Sequence, residues 1–290
     1  MFAHILLVGL LGLSDAAIKG SPHPHQGILT PFTPGQPTVV VSGDDEAKLD
    51  GGEMITKQTK DESGQGGRAT AIQAIHAPPE IVWGQLLDLN SYPSKVDKLT
   101  ECAKYFEGPA GDEGDLCIKA RFVIKAAPGF GFEYYCDHLY SPSRRSLTWT
   151  LDYERDSDFN DVAGHWYVTE HPTKGPEWST VYYSADLALK GYVPGFIMNI
   201  LTSSALKSAV SWVKRESEKE WVVEAARRAE EAAKEAARLA EIQANKKRPR
   251  LPFGGPGGPL GAGLTGLAAP KLTNPFKKKV APPPPPPPPP

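Results

Sequence analysis

The stretch Arg68–Pro93, RATAIQAIHAPPEIVWGQLLDLNSYP, decides how this chain folds. Its first half sets Ala69, Ala71, Gln73 and Ile75 against Thr70, Ile72, Ala74 and His76, an imperfect period of two that predicts a strand with one face more buried. Pro78-Pro79 ends that strand. Pro79 suits the first turn of a helix, where its missing N–H costs nothing, and Glu80 suits the positive end of the helix dipole. Ile81, Val82, Leu86 and Leu89 then recur at helical spacing, with Trp83 and Leu87 widening the apolar face, until Tyr92-Pro93 closes the helix.

Downstream the period of two returns repeatedly. From Gly114, Ile118, Ala120, Phe122 and Ile124 alternate with Lys119, Arg121, Val123 and Lys125, the pattern of a half-buried antiparallel strand. From Phe130, the series Phe132, Tyr134, Cys136, His138 and Tyr140 shares one face. After the turn PSRRS, so do Leu147, Trp149, Leu151 and Tyr153; after the polar loop ERDSDFND, so do Gly164, Trp166 and Val168. Beyond PTKGP, Val181, Tyr183, Ala185, Leu187 and Leu189 stand together. A short helical turn over 94–99 and a short strand over 101–107 complete the series. Strands at intervals of about 12 to 18 residues joined by short turns predict one strongly curved antiparallel sheet. At Pro194-Gly195 the period changes to helical, and Phe196, Ile197, Ile200, Leu201, Leu206, Val210 and Val213 form a stripe long enough to lie across that sheet. The expectation is an α+β domain of about seven strands and two helices, the last helix packed into the concave face.

These segments resemble the polyketide cyclase/dehydrase and coenzyme Q-binding family of the START-like, or SRPBCC, superfamily. APPEIVW follows the rough pattern "ap.e.VW" that opens its helix-grip domain, GHW resembles its "G.W" strand, STVYY its "T.v.Y" strand, and VPGFI its proline-led approach to the grip helix. The resemblance spans roughly 67–220 and implies a cavity between helix and sheet.

Composition sets the limits of that domain. The 29 prolines and 28 glycines gather at the two ends, which makes one domain a better count than the two that 290 residues would suggest. Residues 1–17 hold an apolar run, Ile5–Leu13, followed by small residues; it is too short to span a bilayer and fits a targeting segment cleaved near Ala16 or Ala17. That predicts the secretory pathway or an organelle, a plastid if the source is an alga. Residues 18–66 read as disordered linker with at most one strand at Thr38–Val41. From 221 to 246 a charged, alanine-rich helix continues, either solvated and held by Glu/Lys/Arg pairs or seated on a helical partner as a coiled coil. Residues 247–290 read as a disordered basic tail rich in Gly and Pro, ending in polyproline at Pro282–Pro290. Its basic groups could meet an anionic membrane surface, each contributing about 1 kcal/mol, and its end could bind a polyproline-binding protein. The net charge of -2 says little about partners, because acidic residues lead before the domain and basic ones fill the tail; nucleic acid is not expected among them.

The inward faces are rich in aromatic and aliphatic groups, so the expected ligand is a hydrophobic small molecule: a lipid, an isoprenoid quinone or a related compound. The candidate lining residues are Phe122, Tyr134, Trp149, Trp166, Tyr183, Phe196 and Ile200. For acid–base chemistry, which the family's cyclases need, the candidates are His138, His165 and Glu133, none of them in a recognisable pair. No phosphate-binding glycine loop, nucleophile elbow or metal-ligand spacing is present in the sequence. Cys102, Cys117 and Cys136 fall one per strand without CxxC spacing, so neither a zinc site nor a dithiol redox motif is expected, and no resident cofactor beyond a bound quinone or lipid. Three functions stand: binding and transport of such a ligand, a cyclase/dehydrase using the same cavity, and a scaffold acting through the long helix and proline tail.

Overall fold

A computed structural model describes residues 21–60, 67–112, 114–200 and 205–247. The expected targeting segment and nearly all of the basic proline tail lie outside these residues. The elements run α1 (Gly43–Asp50), β1 (Ile55–Lys60), β2 (Gly67–Ile75), α2 (Pro79–Leu87), a 3-10 turn (Leu89–Ser94), β3 (Leu99–Pro109), β4 (Leu116–Ala127), β5 (Phe130–Ser141), β6 (Ser146–Leu151), β7 (Phe159–His171), β8 (Gly175–Leu189), α3 (Gly195–Asn199) and α4 (Ala205–Lys247). One antiparallel sheet has the order β1-β2-β8-β7-β6-β5-β4-β3. Seven of its strands, with α2 and α4, make the expected α+β helix-grip architecture, and β1 adds an eighth.

The registers explain why the apolar alternations share a face. Phe122 lies opposite Tyr134 and Ile118 opposite His138; His138 lies opposite Trp149, Trp149 opposite Gly164 and Leu147 opposite Trp166. Trp166 then lies opposite Tyr183 and Gly164 opposite Ala185. Each series predicted from its period of two therefore continues across the next strand. The core at one end of the concave face joins Ala71, Ile75, Val168 and Val181 of the sheet to Val82 and Leu86 of α2 and to Val210, Val213 and Trp221 of α4.

The linker expected over 18–66 is a correction. Residues 43–50 form a helix, residues 55–60 pair with β2, and Thr38–Val41 is not a strand. Polar bonds and a small apolar cluster, Leu49 and Ile55 against Ile72 and Ala74 with Val39 and Val41 beside them, order this segment without a sustained periodicity. Ser42 caps α1, accepting from the Asp45 amide at 3.3 Å while the Asp45 carboxylate accepts from the Ser42 amide at 2.9 Å. Lys57 pairs with Asp45, and these bonds hold that carboxyl well below its usual range. Farther upstream the chain crosses the convex face of the sheet as a strap. The buried Asp161 carboxylate accepts from the Ile28 and Leu29 amides at 2.6 and 2.7 Å, and also from the Tyr153 hydroxyl at 2.9 Å. Phe32 stacks on His165 with ring centres 5.8 Å apart and lies under the Arg68 guanidinium at 4.0 Å.

Two further differences are small. The helical turn expected over 94–99 sits five residues earlier, over Leu89–Ser94, because Tyr92 donates its hydroxyl to the Leu86 carbonyl at 2.6 Å and folds the chain back on α2. The strand β3, expected over 101–107, is longer and has two bulges, one between Leu99 and Glu101 and one between Lys104 and Phe106.

Candidate functional site

The cavity forms because α4 does not fill the concave face. Its walls come from inward residues of five strands: Phe122 and Ile124 of β4, Tyr134, Cys136 and His138 of β5, Trp149 of β6, Phe159, Val162 and Trp166 of β7, and Tyr183 of β8. Leu89, Tyr92 and Val96 close one side and Ile200, Ala209 and Trp212 the other, around a volume of about 470 Å³. The rings pack as a continuous wall. Phe122 stacks on Tyr134 at 5.1 Å, Tyr134 meets Phe159 at 4.9 Å, Trp149 stacks on Tyr183 at 6.1 Å and Trp166 meets Tyr183 at 4.3 Å.

One end of the cavity is shut and the other open. Leu147, Cys136 and Trp166 are buried in the closed end. Ile124, Leu187 and Ile200 are half-exposed and Lys98 is exposed at the open end. Ala185 faces inward yet is exposed, as a small residue on the wall of an open cavity should be.

Glycine at 164 is required by the wall. A Cβ there would stand 1.9 Å from the Trp149 ring, so only glycine lets the indole lie flat on β7. A bulge places the wall's next residues. Between Phe159 and Asp161 the register of β7 against β8 shifts by one residue, so Phe159 and Val162 both face the cavity while Asp161 points to the convex face and receives the strap.

Six of the seven candidate lining residues, Phe122, Tyr134, Trp149, Trp166, Tyr183 and Ile200, lie around this volume. Phe196 does not: it is 59% exposed and meets Phe130 edge-on at 6.0 Å. The helical stripe misassigns it because α3 starts at Gly195 with Phe196 turned outward and Ile197 fully buried. Tyr92, Phe159 and Trp212 are lining residues that sequence periodicity missed. Trp212 sits one residue before Val213 on the stripe, and Phe159 is hidden in a segment that reads as polar loop.

The acid–base candidates are scattered. His138 is on the cavity wall, its ring 5.9 Å from Phe122 and 5.8 Å from Trp149. Its Nδ1 donates to the Ile118 carbonyl at 2.9 Å, which leaves Nε2 as the lone-pair nitrogen, and burial lowers its pKa to about 4. His165 is on the convex face under Phe32, and burial lowers it to about 4 as well. Glu133 is also outside the cavity, taken up by Arg121 at 3.1 Å and the Tyr135 hydroxyl. Burial raises the Tyr134 and Tyr183 hydroxyls well above the usual range, so both remain protonated donors. All three cysteines are free thiols, and burial pushes Cys102 up to about 12. Among the described residues no group of three or more His, Cys, Asp or Glu gathers as a metal site would need.

No family model and no curated protein matches the chain. Solved structures do. A START superfamily protein from Mycobacterium smegmatis is 16% identical, with TM-score 0.40, covering 57% of this chain and 97% of that one. The Zhui aromatase/cyclase from Streptomyces sp. R1128 is 14% identical, with TM-score 0.40, covering 58% and 95%. A STAR-related lipid transfer protein from Xanthomonas axonopodis is 11% identical, with TM-score 0.40, covering 56% and 98%. At these identities and scores the likeness carries nothing about ligand or activity.

Proposed function

We propose that the protein binds a hydrophobic small molecule, a lipid, isoprenoid quinone or related compound, in the concave cavity and carries it unchanged. The observation that supports this most is the cavity itself: about 470 Å³, open at one end and walled by aromatic and aliphatic side chains. Volumes of about 300–1,000 Å³ suit ligands of this kind, and such walls favour apolar surface over water. Among the polar groups of the lining, the Tyr134 and Tyr183 hydroxyls and the lone-pair nitrogen of His138 stand within the aromatic wall and would orient a ligand's carbonyl or hydroxyl groups.

The cyclase/dehydrase alternative draws on the same His138. A general base works best with a pKa near the working pH, and a histidine lowered to about 4 is a weak one. Neutral His138 is better suited to accept a hydrogen bond than to remove a proton from carbon. In this reading the Ile5–Leu13 run delivers the carrier to its compartment, the basic tail assists at a membrane, and the polyproline end recruits a partner.

The test is native mass spectrometry of the full chain purified from its own cells, followed by extraction and identification of bound material. The full chain is needed because the strap is part of the fold. A stoichiometric lipid or isoprenoid is expected. A protein that emerges empty, and whose tryptophan fluorescence is unmoved by added ubiquinone or fatty acid, would end the carrier reading.

A further inference from the structure

The open end of the cavity has an unusual rim. Tyr192 is 92% exposed and Phe196 59% exposed, both on the segment that joins β8 to α4. Phe130, at the tip of the β4–β5 hairpin, packs edge-on against Phe196 at 6.0 Å. The same tip carries Lys125 with Pro128 and Gly129, and Lys98 joins it around a shallow hollow next to the cavity. Large aromatic side chains left in water gain nothing for the fold, and grouped at an opening they mark a surface that something covers.

We propose that this rim docks on an anionic phospholipid bilayer. Tyr192 and Phe196 enter the headgroup layer, where aromatic rings are favoured, and the lysines meet the lipid phosphates and anionic head groups. Charge selects this occupant. Lys98 and Lys125 form no ion pair among the described residues. Of the acids near the opening, Asp156 is paired with Lys190 at 2.7 Å and Asp186 with Arg68 at 2.6 Å, while Asp158, which accepts from the neutral Glu133 amide at 2.7 Å, and Asp97 beside Lys98 keep their charge. Docking is on the surface, since among the described residues no helix is long and apolar enough to cross a membrane. The inference rests on the reading of the cavity as a carrier site: docked at this rim, the cavity opens toward the acyl chains, and an apolar ligand passes between them without crossing water. The contact lies on the folded domain and is separate from the basic tail.

The full chain is sedimented with vesicles of phosphatidylcholine, with and without about 30% phosphatidylserine. The wild type is expected to partition onto the mixed vesicles. Y192S/F196S, which alters only exposed side chains, should reduce that partition about tenfold, and K98A/K125A should remove the preference for phosphatidylserine. Quenching of cavity tryptophans by ubiquinone in vesicle-free solution should be the same in the wild type and Y192S/F196S, whose two residues lie outside the cavity lining. If Y192S/F196S sediments like the wild type, the proposal is overturned; if replacing Lys277, Lys278 and Lys279 by Ser then abolishes sedimentation, the contact is the tail. If quenching is absent in every protein while sedimentation still depends on Tyr192 and Phe196, the docking surface stands and the carrier reading fails.

Discussion

Gly164 and Trp149 form the tightest coupling in the site. With a Cβ only 1.9 Å from the indole, Gly164→Ala must push Trp149 off β7 and into the cavity. Overpacking of a core costs typically 1–3 kcal/mol, and here the displaced ring also occupies ligand space. G164A is expected to lose roughly 2 kcal/mol in denaturant unfolding and most of its ubiquinone quenching; wild-type stability with wild-type quenching would contradict the geometry. His138 and His165 carry a second prediction. Each is lowered from 6.5 to about 4 in the fold, so the unfolded chain binds protons that the native chain refuses. The stability each neutral ring protects is complete above about pH 6.5 and is lost as pH falls toward 4, about 3 kcal/mol per buried histidine. H138Q should flatten part of that slope when urea unfolding is compared at pH 7.5 and 5. An unchanged slope would show that His138 is not buried neutral.

Among the elements, the strap and the bulge of β7 depend on each other. Asp161→Ala leaves two strap amides and the Tyr153 hydroxyl without their acceptor, at about 1–3 kcal/mol for each group that stays buried. Hydrogen exchange should then show faster exchange at Ile28 and Leu29 while the amides of β4 and β5 keep their protection; equal exchange at Ile28 would mean that the carboxylate does not hold the strap. These elements also show where the sequence was legible. Strands β4 to β8 were readable because residues such as Phe122, Tyr134, Trp149 and Tyr183 alternate strictly and the registers keep them in phase. Neither the strap nor β1 was readable: the strap is held by contacts such as Asp161 to backbone that leave no periodic trace, and β1 is a short strand, ITKQTK, with Ile55 as its one large apolar residue, held by its ladder with β2. Phe159 was lost for a related reason: the extra residue at Asn160 breaks the alternation just where the chain enters β7. Past Trp221, α4 runs exposed along its alanine-rich part, with pairs such as Arg227–Glu231 and Lys234–Glu230 at 2.6 Å on its own surface.

At the scale of the whole domain, stability and ligand capacity should separate. The core that joins α2, α4 and the sheet lies at the closed end, whereas Ala185 stands exposed on the cavity wall. Ala185→Phe puts a ring into space that the fold leaves empty. Its thermal midpoint is expected to hold or rise by a few degrees, about what 1 kcal/mol of added burial gives, while ligand uptake falls at least about tenfold. Uptake equal to the wild type would place the ligand elsewhere. The lining was legible because alternation carried it, whereas Glu133 and His165 were named for residue type alone and lie outside the cavity, on the alternation opposite to Tyr134 and Trp166.

The two bulges of β3 bear on how the molecule lives among copies of itself. An open eight-stranded sheet ends in two rims of backbone donors and acceptors, and β3 is one of them. A straight rim invites a neighbour to add its own strand, the first step toward a fibril. Here the register breaks at Thr100 and Tyr105, the side chains of Glu101, Lys104 and Glu107 project from the strand, and Pro109 removes a donor at its end. The irregular edge makes the protein a poor template for aggregation, so a domain with a long, apolar-faced sheet can remain dispersed while its cavity stands empty.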